Sequence, residues 1–277
     1  MPSPFLIIMK KEFRDSLKSR WLLSFAVTFF FLALGVPYII LRGGGVLPED
    51  YPGMVVSTLV SLSVPLVPLI ALAMSSTSVS GERETGTLEF LLAQPASKME
   101  VFLGKYVGIL VSITLAMILG YGTAELLVYS SNPVFALQFL YGLVYSMMLS
   151  GAAISLGFLV SVLSKGRVNA QGAGIFIWFL MVVIYDVGFL GVIAVVLDLS
   201  EYLVPMTLAN PVELTRTISL MHMARSPLGG ELGPVATYMS RTWGPDLTVT
   251  ILSTTLGLWI LIPLGISAII FRKQDAR

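Results

Sequence analysis

The chain has 277 residues, of which 56% are apolar and only 12% charged, with a mean hydropathy of +0.87. A soluble domain needs about a quarter of its residues charged to coat its surface, so this composition excludes a water-soluble globule and places the chain in a bilayer. Seventeen Lys and Arg against sixteen Asp and Glu give a net charge of +1, too small a field to recruit nucleic acid or another polyanion.

Residues 5 to 18 open the chain with Phe5, Met9, Phe13 and Leu17 at i+4 spacing, while Lys10, Lys11, Arg14, Asp15 and Lys18 occupy the rest of the wheel. This pattern predicts an amphipathic helix lying in the membrane interface. The stretch does not read as a cleavable signal peptide, because its charges follow a short apolar patch and lead directly into a full-length span. We expect it to be retained.

Six apolar runs then approach the roughly 20 helical residues that cross about 30 Å of hydrocarbon. They are Trp21 to Leu41, Met54 to Met74, Tyr106 to Tyr129, Phe139 to Leu163, Gly172 to Leu197 and Thr248 to Phe271. Pro37, Pro65, Pro68 and Pro263 fall inside them, which a membrane helix tolerates with a kink. The expected fold is an all-α integral membrane protein forming one domain over 1–277. An interface helix (1–20) precedes spans one and two (21–74), a charged hairpin (75–105) and spans three to five (106–197). An outer segment (198–247), span six (248–271) and a tail (272–277) complete it.

Between spans two and three, SSTSVSGERETGTLEFLLAQPASKMEVFLGK carries a dense group of charges beside Leu-Glu-Phe-Leu-Leu. Leu88 to Ala93 reads as a short helix stopped by Pro95. Ser97-Lys-Met-Glu100 reads as a capping box starting a second helix that runs into span three. A solvated loop would not need that greasy edge, so the hairpin is expected to meet a partner.

Span four carries small residues four apart, Ser146, Ser150 with Gly151, Ser155 with Gly157, and Ser161, which let helices approach closely. Asp186 sits near the middle of the expected span five, where an ionisable group costs roughly 2.5 to 3.5 kcal/mol on insertion scales and requires a partner. It is a candidate for lining a translocation path or for a structural contact; Glu125, a turn from the end of span three, is a weaker one. In the outer segment, Asn210 before Pro211 and Glu213 reads as a capped helix start covering about Val212 to Met223. Met221-His222-Met223 carries ligand types suited to Cu(I), but side chains one and two apart diverge on a helix and His222 opposes both methionines on a strand. Packing is the expected role.

Thirteen of the seventeen basic residues fall on one side of this six-span plan, and Arg42, Arg216, Arg225 and Arg241 on the other. Basic residues resist translocation, so both termini and the charged hairpin are expected in the cytoplasm of a cell whose cytoplasmic (inner) membrane holds the chain. The absence of Cys and the single His remove thiolate metal sites, Cys nucleophiles and His-rich centres. No cofactor or metal is expected in the chain.

The hairpin resembles the loop between the second and third helices of ABC-2 type ABC transporter permeases. The shared features are the acidic pair Glu82 and Glu84, Gly86-Thr87-Leu88-Glu89, Leu91-Leu92, Pro95 with Ser97, and Gly104-Lys105. The resemblance implies that the hairpin is a coupling element docking on a separate ATPase, with Glu82, Glu84, Leu88, Glu89, Phe90 and Leu91 as contacts. The chain has no G-x-x-x-x-G-K-[ST] of its own, since Tyr106 follows Gly104-Lys105, so ATP and Mg would be held by that ATPase. The resemblance further implies two permease copies with two ATPases about a twofold axis, set in membrane lipid. It implies a non-catalytic subunit for export, or for force transmission to an outer-face protein. Arg20-Trp21-Leu22-Leu23, Val168-Asn169, Tyr185-Asp186, Asn210-Pro211, Glu213-Leu214 and Arg216 resemble the NosY-like branch, which serves copper-site maturation of nitrous oxide reductase.

Two readings from other classes compete. An intramembrane enzyme would need convergent catalytic groups, and the spans offer only Asp186 and Glu125. A secondary transporter could couple an ion through Asp186, although no repeat relates the two halves.

Overall fold

The computed structural model describes residues 3–42, 51–93, 95–128, 136–188, 200–224 and 234–274. Among these, all regular structure is helical. In chain order the helices are α1 (Pro4–Leu17), α2 (Arg20–Arg42), α3 (Tyr51–Ser75), α4 (Ser80–Glu84), α5 (Thr87–Leu92) and α6 (Lys98–Val128). There follow α7 (Ala136–Leu163), α8 (Arg167–Gly188), α9 (Ser200–Leu208), α10 (Pro211–Ala224), α11 (Pro234–Trp243) and α12 (Pro245–Lys273). Six of them, α2, α3, α6, α7, α8 and α12, are long and apolar enough to cross a membrane, with mean hydropathies from 1.7 to 2.2. The protein is a multi-pass membrane protein, and these six are its spans one to six.

The expected spans hold, and the third starts eight residues earlier, at Lys98, because the Ser97 capping box nucleates it before the apolar run begins. The expected end of span five, 189–197, lies outside the described residues. Prolines do not end their helices: Pro37, Pro65, Pro68 and Pro263 all remain interior, as lipid-embedded backbone allows when neighbours supply partners. Beside these prolines the Trp178 indole N–H of span five donates to the Pro65 carbonyl at 2.8 Å.

Spans two, three and four form the centre, and spans one, five and six present most of their side chains outward. Phe102 meets Phe158 edge-on at 5.1 Å and Phe271 at 5.5 Å, tying spans three, four and six together. A buried hydroxyl triangle of Ser63, Tyr121 and Ser146, with separations of 2.9 to 3.2 Å, ties spans two, three and four. In apolar surroundings such hydroxyls must pair with one another. The small residues of span four meet several neighbours within the chain: a Cβ at Gly157 would lie 1.8 Å from the Ser75 Oγ of span two, and one at Gly151 would lie 3.4 Å from Tyr106 of span three and Ile260 of span six.

Helix α1 packs along span three through Ile8 and Ser16, its buried residues, while Phe5, Met9 and Phe13 of its apolar face are half-buried and Leu17 is exposed. The reason lies in span three, where Gly104, Gly108 and Ser112 make a groove. A Cβ on Gly108 would come within 2.7 Å of the Glu12 Cβ and 2.9 Å of the Met9 carbonyl oxygen. The missing side chains let the α1 backbone itself enter, which rotates the helix so that Glu12 turns inward. Met9, Phe13, Leu6 and Leu17 then form an adjoining apolar sector and Lys10, Arg14, Lys18 and Lys11 a basic one.

Candidate functional site

The charged hairpin is built from the ends of other helices. Its first helix, α4, begins where the Ser161 Oγ of span four accepts the backbone N–H groups of Val79 and Ser80 at 2.9 and 3.0 Å. Ser161 thereby satisfies donors left open at a helix start. In return Arg83 of α4 donates to the Val162 and Ser164 carbonyls at 3.3 and 3.1 Å, closing acceptors at the end of span four with a cation at its negative pole. Lys98 does the same for span six, donating to the Arg272 and Gln274 carbonyls at 3.3 and 2.7 Å. Glu84 accepts the Arg167 backbone N–H at 2.5 Å, placing a carboxylate at the N-terminus of span five, the favourable end of its dipole.

Gly86, at φ 72°, lets the chain reverse between α4 and α5, a conformation that costs a glycine little. The reversal ends α4 and starts α5, which packs Leu88 on the bundle and leaves Phe90 75% exposed. The capping box forms as the spacing predicts: Ser97 N–H and Oγ each lie 2.8 Å from the Glu100 Oε2, and Glu100 N–H donates to the Ser97 Oγ at 3.2 Å.

At the root of the hairpin, Lys105 of span three is enclosed, its side chain 2% exposed, with Nζ 2.9 Å from both Glu12 Oε2 of α1 and Glu82 Oε1 of α4. Lys11 adds a second contact to Glu82 at 3.3 Å. An unpaired ammonium there would be costly, so the two carboxylates fix α1, the hairpin and span three about one point. Beside them opens a polar cavity of about 380 Å³, whose lining includes Glu12, Asp15, Glu82, Lys105 and Arg167.

These contacts divide the expected docking set. Leu88 is corrected: at 3% exposure it packs in the main core against the bundle and offers no surface. Glu82 is turned inward onto Lys105. Glu84 stays exposed while holding span five. Glu89 and Phe90 face outward, and Leu91 lines an apolar groove of about 240 Å³ with Ile7, Ile8 and Pro95. Sequence reasoning missed Glu12, Lys105 as an ion-pair centre, and Ser161. The available signal was a lysine seven residues inside a span-length helix, which demands a carboxylate.

At the opposite end, Asp186 meets Arg216 of α10 in a two-pronged contact, Nη2 to Oδ2 at 3.0 Å and Nη1 to Oδ1 at 3.3 Å. Arg216 also holds Glu213 at 2.8 Å. Asp186 lies nineteen residues beyond Arg167, about 28 Å along the helix, two residues before the last described residue of span five. The partner that the sequence demanded is thus Arg216, a residue given only a place in a motif. Burial pushes the Glu213 carboxyl up from its ordinary value, against the pull of Arg216. Burial opposes the Arg216 charge too, but the two carboxylates outweigh it and raise the guanidinium's value.

Helix α10 starts as its sequence predicts, with the Asn210 Oδ1 accepting the Val212 N–H at 2.9 Å. Met221 is buried in a second core, and the His222 ring lies 4.2 and 5.3 Å from the rings of Tyr141 and Tyr145. Glu125 is partly exposed in the last turn of α6.

A charged hairpin interposed between the second and third of six spans, behind an amphipathic entry helix, is the plan of a multi-pass membrane protein. The chain belongs to the ABC-2 family: the model of that family, described as ABC-2 family transporter protein, matches residues 6–276. It is an ABC-2 transporter permease subunit. Among individual relatives, it is 31% identical over 280 residues to the probable ABC transporter permease protein NosY of Stutzerimonas stutzeri, with 96% of this chain and 97% of the relative covered. It is 28% identical over 274 residues to the protein of the same name from Pseudomonas aeruginosa, with the same coverage.

Proposed function

We propose that this permease couples ATP hydrolysis by a separate ATPase to events across the membrane, with α4 and α5 as the docking element. The observation that carries the reading is Phe90, a large apolar side chain 75% exposed on a hairpin that Ser161, Arg83, Glu82 and Leu88 anchor to the bundle. The docking contacts are Glu89, Phe90 and Leu91, with Glu84 at the edge. ATP and Mg belong to the partner, two copies of which would join two permeases. The basic residues gathered at the hairpin end favour that end as cytoplasmic, with both termini there and the chain in the inner membrane.

The likeness to two proteins named NosY supports a place in the nos system, serving copper-site maturation of nitrous oxide reductase with an outer-face partner. An ion-coupled transporter using Asp186 is disfavoured by the pairing of Asp186 with Arg216. The test is co-purification of a co-expressed ABC ATPase that binds the unmodified chain, after Phe90→Asp or Glu89→Lys. Loss of the complex with membrane insertion intact is expected; a persisting complex removes the hairpin assignment.

A further inference from the structure

Span five differs from its neighbours in how it is held. Its flanks are the least buried of the six spans, yet both of its described ends are gripped by polar contacts. At the hairpin end Glu84 accepts the Arg167 N–H, and Gly174 lies so close to α3 that a Cβ there would come within 2.8 Å of the Ser76 Oγ. Near its far end, residues Leu180–Ile184 form a π turn, a wide turn that marks functional segments in helices. Within or just beyond that turn, three side-chain contacts reach α9 and α10. The Asn210 Nδ2–H donates to the Met181 carbonyl at 2.7 Å, the Tyr185 hydroxyl donates to the Met206 carbonyl, and Asp186 pairs with Arg216.

We infer that span five is the connector between the two faces, with Glu84 as the input joint and Tyr185, Asp186, Asn210 and Arg216 as the output joint to the α9–α10 hairpin. An α-helix is stiff along its axis, and about 28 Å separate the joints. Movement imposed on the charged hairpin pulls or tilts span five through the carboxylate at its N-terminus. The far joint passes that displacement to α9 and α10, because three directional bonds on two helices resist slippage better than apolar contact. The residues of the far joint are positioning residues. This inference rests on the docking reading above, since it needs an ATPase to move the charged hairpin.

The test is amide hydrogen exchange of the permease–ATPase complex in lipid nanodiscs, nucleotide-free against trapped with Mg-ATP and vanadate. Peptides from 80–93 read the docking element and peptides from 200–224 the far hairpin. In the unmodified protein both regions are expected to respond. In Tyr185→Phe and Arg216→Gln the 80–93 response should persist while the nucleotide-dependent change in 200–224 falls about twofold or more. Tyr185→Phe removes one hydroxyl and keeps the ring, so it stands if Arg216→Gln fails to fold. An undiminished far response in Tyr185→Phe and in any folded Arg216→Gln, or a silent far hairpin in the unmodified protein while 80–93 responds, overturns the connector. A silent 80–93 in the unmodified complex overturns the docking reading and the connector with it.

Discussion

The two ends of the molecule each hold one cation between two carboxylates, and the same formula has different weight at each. At the basic end Lys105 is 2% exposed, between Glu12 and Glu82 at 13% and 18%. At the far end Arg216 and Asp186 are both about one-third exposed, and only Glu213 is well covered. A buried charge that loses its partners is left uncompensated, whereas a half-exposed one is rescued by water. The choice of cation follows the geometry. The compact ammonium fills the point where three elements meet, and the planar guanidinium spans two helices with several directed bonds. The basic-end cluster is therefore a fastening and the far-end cluster a joint.

The sharpest way to break this contrast is Lys105→Met, which strands Glu12 and leaves Glu82 only its contact with Lys11, and should destabilise the protein by about 3–5 kcal/mol, read as a lowered thermal midpoint in detergent. Adding Glu12→Gln and Glu82→Gln should recover most of that loss, because no uncompensated charge then remains. A failure to recover would mean that the ion pairs do more than satisfy each other. Next in size is Gly108→Ala, whose Cβ must displace the α1 backbone at a cost of about 1–3 kcal/mol. Its signature is faster proteolysis of residues 4–17 with the spans intact.

Arg216→Gln should cost less, about 1 kcal/mol, because water reaches Asp186 and the covered Glu213, its carboxyl already pushed up by burial, can take a proton. The Asp186 part of that cost should shrink in high salt as screening grows. Equal losses for Lys105→Met and Arg216→Gln would erase the distinction between fastening and joint. Phe90→Asp has the smallest effect on the isolated chain, within about 0.5 kcal/mol, since its ring has little to lose by leaving the surface. A large destabilisation there would place Phe90 in the fold and remove it from docking.

Local physics made much of this legible in advance. Apolar length marked the six spans, Pro95 and the Ser97–Glu100 spacing marked the hairpin's second turn, and Asn210-Pro211 marked the start of α10, because caps and periodicities act within one or two helical turns. The packing of α1 on span three was not legible for the same reason: its own spacing showed only an apolar face, and the glycine groove that receives Ile8 and Glu12 lies on another helix. Asp186 was flagged by cost alone, without its partner.

By itself, then, the sequence determined that this chain lives in a bilayer, that it holds six long apolar helices, and that one charged hairpin stands out against scarce charge. Only tertiary structure decided which charges meet. Lys105 finds Glu12 across 93 positions and Arg216 finds Asp186 across 30, pairings set by how helices pack and rotate, which neither residue type nor local spacing encodes. The hairpin's division into anchored carboxylates, a buried Leu88 and an outward Phe90 was decided there too, since burial belongs to a residue's neighbours in space.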